Sequence, residues 1–281
     1  MRFAITGANG FIGSYLTTYL REHGHEVEEW VRQPKNNTQR LYNLAITESI
    51  PSLTNLDALV HTAYIAYDKR DQPNAAELNI KGTLALEAAC RAKGIQFIFL
   101  SSLSAHEMAV SIYGKHKLAL ENSLDLNNSL VLKLGLVIGK GGLFQRMVDT
   151  ILRIPILPLP DGGKQSVQIV AISDVAKTIE KCAGERRRGR YLLAHPDKCS
   201  IKGIYTTIAQ NYNRKLWLID IPVGMLYPIV YTAEKLSIKT GITTENLKGL
   251  ANSKYHDSKQ DLYKLGITLM PLSEALKNTI D

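Results

Sequence analysis

The sequence predicts an α/β fold: a doubly wound parallel sheet with a smaller C-terminal region packed over its open edge. Three observations carry this. Strand-like and helix-like segments alternate through the first half of the chain, the pattern of βαβ units. Strands such as "FIFL" (97–100) are apolar without interruption, as in a sheet covered on both faces. The first strand also runs into Gly7, Gly10 and Gly13, spaced G-x-x-G-x-x-G at the mouth of the first helix.

The elements follow in order. "RFAIT" (2–6) is a strand, and "FIGSYLTTYLREHG" (11–24) is a helix closed by Gly24. "EVEEWV" (26–31) is the second strand. Its Glu29 sits where an apolar residue is expected, so either that face is partly solvated or Glu29 has a basic partner. "DALVHTA" (57–63) is the next clear strand, and "LNIKGTLALEAACRAKG" (78–94) is a helix ending at Gly94. "IQFIFLSS" (95–102) is a strand, "YGKHKLALENSL" (113–124) a helix and "SLVLKLGLVIG" (129–139) one further strand. The pattern loosens after Gly139. "LFQRMVDTILRI" (143–154) is a helix, and "PILPLPDGGK" (155–164) is extended or looped. The expected division is a first domain over 1–139, with a returning portion near 166–195, and a second region over 140–165 and 196–281. No internal repeat or low-complexity tract is evident.

The glycine spacing has meaning because it follows a strand and opens a helix. The first glycine permits a tight turn, the second lets backbone approach a pyrophosphate, and the third lets helix and sheet pack closely. The helix start offers free N–H groups and a positive dipole end. The plainer account is a turn that merely needs glycine. The second strand ends at Arg32, with Lys35 nearby. A base at that tip points to the 2′-phosphate of NADP, where an acid would point to NAD. NAD remains the alternative, because Arg32 also fits an ordinary surface arginine.

Tyr113 and Lys117 stand four apart on a predicted helix, hence on one face. A neighbouring ammonium favours a phenolate, so Lys117 is expected to lower the pKa of Tyr113. Tyr113 could then exchange a proton with an alcohol or ketone. Ser102, at the end of a strand where open α/β sheets bind ligands, could hydrogen-bond the same oxygen. Such Tyr/Lys pairs also occur by chance, but here one follows a glycine loop and a strand ending in two serines.

The totals set limits. A chain of 281 residues that is 45% hydrophobic and 21% charged should hold a packed core. No apolar run is long enough to span a bilayer, and the N-terminus lacks a signal-peptide pattern. Cys90, Cys182 and Cys199 are far apart and odd in number, which fits neither disulfides nor a metal site and suggests a reducing cytoplasm. His61, His106 and His116 show no metal-ligand spacing; His116 is expected to face solvent, away from Tyr113. The net charge of +8 has its densest cluster in "ERRRGR" (185–190), which holds no aromatic residue and reads as a solvated turn rather than a nucleic-acid patch.

Taken together, these segments resemble the extended short-chain dehydrogenase/reductase family of epimerases, dehydratases and reductases. "TGANGFIGS" resembles its glycine signature, "DALVHTA" its fourth strand and "NIKGTLALEAA" its asparagine-led helix. "FLSSLSAH" resembles its serine strand, Tyr113 to Lys117 its catalytic pair and "DSKQDLYKLGITLMPLSEAL" its closing segment. The likeness is specific in the first 140 residues and looser beyond. It implies a Rossmann-type sheet with a C-terminal substrate-binding region. It implies that Tyr113 donates or accepts the proton, Lys117 tunes Tyr113 and holds the nicotinamide ribose, and Ser102 orients the reacting oxygen. Gly7, Gly10 and Gly13 would line the pyrophosphate site, with backbone from Phe11 and Ile12. Ala63 would lie under the adenosine side and Asn79 near the ribose, with Asn43 and Leu44 around adenine. A dimer through paired helices is the family pattern.

Three departures concern the substrate. Lys133 and Leu136 stand where the family often has an arginine and an asparagine, Val167 stands where sugar-nucleotide members tend to have an arginine, and "HEMAV" replaces a Tyr-Gly turn. Lys140, Lys164 or the 186–190 arginines could substitute. The expected activity is NAD(P)-dependent oxidation, reduction or epimerisation at a carbinol carbon, on a small molecule and most plausibly a nucleotide-linked sugar, with no metal. The rival is a non-catalytic dinucleotide-binding sensor or assembly factor. The apolar "IPVGMLYPIVYTAEKL" (221–236) reads first as core packing, with a pocket wall or a membrane-surface helix as alternatives.

Overall fold

A computed structural model describes residues 1–65, 74–236, 243–251 and 253–277. Its strands are β1 (Arg2–Thr6), β2 (Glu26–Val31), β3 (Gln39–Leu41), β4 (Ala58–His61), β5 (Gln96–Ser102), β6 (Ser129–Leu134), β7 (Leu136–Ile138), β8 (Ile156–Pro160), β9 (Ser166–Val167), β10 (Ile169–Ala171), β11 (Gly189–Leu193), β12 (Cys199–Ser200) and β13 (Trp217–Ile221). Its helices are α1 (Phe11–Glu22), α2 (Ala75–Ala92), α3 (Ile112–Ser123), α4 (Gly142–Arg153), α5 (Ile172–Gly184), α6 (Ile201–Asn211), α7 (Val223–Lys235), α8 (Thr244–Ala251), α9 (Lys259–Leu265) and α10 (Leu272–Lys277).

Seven strands form one parallel sheet in the order β11-β6-β5-β4-β1-β2-β3. The order reverses between β1 and β4, the crevice where such sheets take ligands. Helices α1 and α5 cover one face, where Phe3, Ile5, Leu16 and Ile179 are buried. Helices α2 and α3 cover the other, over Trp30, Leu59, Phe97 and Phe99. Both faces are therefore apolar, and this is why the central strands read as unbroken hydrophobic runs.

The stretch 129–139 is two strands rather than one. β6 pairs with β11 as far as Leu134, and β7 then pairs with β10. The switch falls at Gly135, where an added Cβ would lie 2.5 Å from the carbonyl oxygen of Gln168. Only glycine lets the two backbones come that close.

The second region has its own core of Phe144, Ile151, Leu157, Ile204 and Ile208, roofed by α4, α6 and α10. "PILPLPDGGK" supplies β8, paired in parallel with β13. α9, expected with this region, instead puts Leu262 and Leu265 into the first core beside β11. α7 departs from the core-packing expectation. It buries only Leu226 and Val230, against Leu247 of α8, while Met225 is 66% and Ile229 60% exposed.

Glu29 has the basic partner, Arg21, at 2.8 Å, and also accepts a hydrogen bond from Gln39. The 185–190 cluster is a turn: Arg187 pairs with Glu185 and Arg186 donates to the Gly94 carbonyl. Arg186, Arg187 and Arg188 lie before β11 and Arg190 is its second residue, at the end of the sheet opposite the strand C-termini, so these arginines do not face the crevice. No described helix is long and apolar enough to cross a membrane, and all three cysteines are free.

Candidate active site

The glycine turn sits at the β1–β4 reversal. Gly7 has φ +67°, and its N–H donates to the Trp30 carbonyl. An added Cβ on Gly7 would lie 3.0 Å from the backbone of Ala63, so Ala63 borders the turn after β4. At Gly13 a Cβ would lie 2.3 Å from the Gly7 carbonyl oxygen, so this glycine lets α1 press on the turn. No side chain caps α1. The N–H groups of its first turn, from Phe11 onward, therefore have no intrahelical acceptor and open on the crevice. An uncapped helix start beside a glycine turn fits a dinucleotide pyrophosphate. Gly13→Ala is expected to shift the turn, lowering stability by roughly 1–3 kcal/mol and weakening coenzyme binding. A thermal melt and a fluorescence titration matching the parent protein would contradict this.

Around that turn, Arg32 is exposed at the tip of β2. Leu44 is buried, its carbonyl oxygen 2.1 Å from where a Cβ on Gly82 would sit. Asn43 is half-buried, with its side-chain oxygen accepting from the Ala45 N–H. Asn79 is fully buried beneath the segment that follows β4. Its amide holds Ile65 N and O and the Ala75 carbonyl, all within 2.9 Å. It fixes the segment after β4 from inside.

β5 and α3 bring Ser102, Tyr113 and Lys117 together. Successive strand residues point to opposite faces. Ser101 accordingly turns inward to Glu121, and Ser102 faces the crevice. The Ser102 hydroxyl accepts from Ser104 N at 3.1 Å, leaving its proton for the Tyr113 oxygen. Gly114 makes the approach possible, since a Cβ there would lie 2.3 Å from the Ser104 carbonyl oxygen. Ser111 caps α3 through Gly114 N, and Glu245 of α8 accepts from Ile112 N at 2.6 Å.

The Lys117 ammonium is buried. It donates to the Leu100 carbonyl at 2.7 Å and lies 5.9 Å from the Tyr113 ring centre and 4.4 Å from that of Phe99. Burial lowers its pKa from 10.5 to about 7, with Glu121 opposing. The Tyr113 ring is 38% exposed, yet desolvation of its hydroxyl raises the pKa to about 12, with the Ser102 hydrogen bond opposing. This corrects the expected direction. Desolvation is the larger cause and the Ser102 hydrogen bond the smaller, so the phenol is the favoured form of Tyr113 at neutral pH.

Two neighbours carry no sequence motif. Tyr64, one residue beyond Ala63, packs edge-on against Tyr113 at 5.2 Å. Its hydroxyl lies 3.4 Å from His116 Nδ1, and His116 is half-buried rather than solvated. His61 is buried between Thr6 and Thr83, its pKa lowered by desolvation to about 3, so it is a neutral structural group. Among the described residues no cluster of His, Cys, Asp or Glu could hold a metal. A groove of about 510 Å³ runs between α1 and the ends of β7 and β10, past Tyr15, Lys140 and Ser173, and does not include Tyr113.

The positions expected to grip a diphosphate are engaged otherwise. Lys133 is 8% exposed, bound to Glu121 at 3.0 Å and to the Ala105 carbonyl. Leu136 packs on the second core, and Val167 pairs with Cys199 in a short antiparallel ribbon.

Residues 3–191 match the model of the NAD-dependent epimerase/dehydratase family. The chain belongs to that family. A ceramide reductase from Caulobacter vibrioides is 29% identical over 195 residues, covering 64% of this chain and 60% of that protein. A putative dihydroflavonol 4-reductase from Synechocystis is 21% identical, covering 99% and 93%. Among solved structures, a UDP-glucose 4-epimerase from Thermotoga maritima with UDP-glucose superimposes with a TM-score of 0.74 at 19% identity, covering 100% and 97%. A human epimerase family protein with NADPH gives 0.77 at 18%, covering 99% of each chain. Likeness at that identity extends to the fold, a Rossmann-type sheet with a C-terminal region.

Proposed function

We propose that the chain is a carbonyl reductase that uses NADP(H), with NAD(H) the alternative coenzyme. The observation that carries the reading is the grouping of Tyr113 with Ser102 and the buried Lys117 ammonium beside the glycine turn. A nicotinamide coenzyme would supply the hydride. Ser102 hydrogen-bonds the carbonyl oxygen, and Tyr113 donates its proton as that oxygen gains charge. Charged Lys117 stabilises the phenolate left behind. The test is NADPH oxidation with a panel of carbonyl substrates. Coenzyme binding without any turnover would instead favour a redox sensor or assembly factor.

For substrate, nucleotide-linked keto-sugars are the first class to test. A second class, apolar ketones, is supported by one observation: Lys133 and Leu136 are engaged inside the protein. Turnover of apolar ketones and none of keto-sugar nucleotides would decide for the second.

For coenzyme, Arg32→Ala is expected to weaken NADPH binding roughly tenfold or more, the cost of one hydrogen bond to a charged group, and to leave NADH unchanged. Equal loss for both coenzymes would remove Arg32 as the 2′-phosphate contact.

A further inference from the structure

We infer that the β8–β13 ribbon and the end of α4 form a docking surface for an anionic lipid bilayer. The ribbon has an inner and an outer face. Leu157 and Leu159 point inward and are buried in the second core. The outer face presents Ile156, 52% exposed, beside its register partner Trp217, 70% exposed, with Ile219 two residues on. Leu152 and Ile154 at the end of α4 are also exposed. Hydrogen bonds join the two segments: Trp217 N donates to the Pro155 carbonyl at 2.8 Å, and the Arg214 guanidinium donates to the Leu152 carbonyl at 2.8 Å. The patch is therefore continuous.

Charge selects the occupant. Arg153, Arg214 and Lys215 are exposed within the patch. The nearest acids are Asp149, half-buried on α4 and accepting from Gln145, and Asp161 and Asp220, both exposed at the far end of the ribbon from these cations, where Asp161 accepts from the Val223 N–H. Asp220 stays exposed and sits against Gly162, on the side of the ribbon opposite Trp217 and Ile219. A second copy of the chain is the competing occupant, and a dimer that buries Trp217 would reveal it. Aliphatic side chains offer no stacking platform for nucleic-acid bases. Cations interleaved with an exposed tryptophan and aliphatic residues match the headgroup boundary of a membrane carrying anionic lipid. β13 runs directly into α7, where exposed Met225, Ile229 and Leu236 fall on one side of the helix and extend apolar surface along the chain.

The experiment mixes the full chain with vesicles of phosphatidylcholine alone or in equal mixture with phosphatidylglycerol. Co-sedimentation with the anionic vesicles is expected, weakened by salt. Trp217 fluorescence is expected to shift to the blue, against a constant background from fully buried Trp30. Arg153→Glu with Lys215→Glu should weaken binding by more than about fivefold per cation removed. Trp217→Ser should weaken binding and abolish the shift. An unchanged melting temperature and unchanged NADPH binding would show these variants folded. Equal binding to neutral vesicles, no binding at low salt, binding unaffected by the variants, or a dimer that buries Trp217 would each overturn the inference.

Discussion

Tyr113→Phe is expected to lower kcat for carbonyl reduction on the order of 10³-fold and to leave coenzyme affinity unchanged. Phenylalanine keeps the ring that packs on Tyr64 and removes only the hydroxyl. With its pKa raised to about 12, Tyr113 carries its proton throughout the neutral range and depends on the Lys117 ammonium to release it. The charge that changes near neutrality is on Lys117, with a pKa of about 7. Reduction by the parent protein should therefore slow as pH rises through about 7, where the ammonium that supports the departing proton is lost. The linkage to stability has the opposite sign. An unfolded lysine holds its proton to 10.5, so between about 7 and 10.5 the unfolded chain binds more protons and the fold gains stability as pH rises. A Tyr113→Phe variant with parental kcat, or a rate profile flat across neutrality, would show that another group supplies the proton.

Much of this frame was legible because its signals are local. A glycine turn between a strand and a helix, an apolar run and a Tyr/Lys pair at helical spacing all lie within a few neighbouring residues. The features that escaped depend on partners distant in sequence. The break at Gly135 is set by the Gln168 carbonyl. The exposure of α7 was hidden because an apolar helix reads alike in a core and on a surface; only its packing partner, Leu247, tells them apart. The direction of the Tyr113 shift depends on how deeply its hydroxyl is buried, and helical spacing does not report depth. Tyr64 carried a weak signal, as a large aromatic directly after the fourth-strand motif.

Lys133 is the plainest case of a position whose meaning changes in three dimensions, and it leads to the second large effect. Glu121, 1% exposed, accepts from Ser101 and from Lys133, and Arg190 approaches its carboxylate at 3.5 Å. Arg190 also donates to the Glu121 carbonyl, and Lys133 to that of Ala105. The network ties β5, α3, β6 and β11 together directly behind Ser102 and one turn from Lys117. Glu121→Ala would leave the Lys133 charge buried with one neutral acceptor, a cost of about 3–5 kcal/mol. That corresponds to a fall in Tm of roughly 10 °C for a domain of this size. Lys133→Met should cost less, because Arg190 still faces the carboxylate. Glu121 also supports the charged form of Lys117. At a temperature where the Glu121→Ala variant remains folded, its rate should therefore fall at lower pH than in the parent protein. A melting temperature within error of the parent, or a loss from Lys133→Met as large as from Glu121→Ala, would show that the cluster does not hold the site in this way.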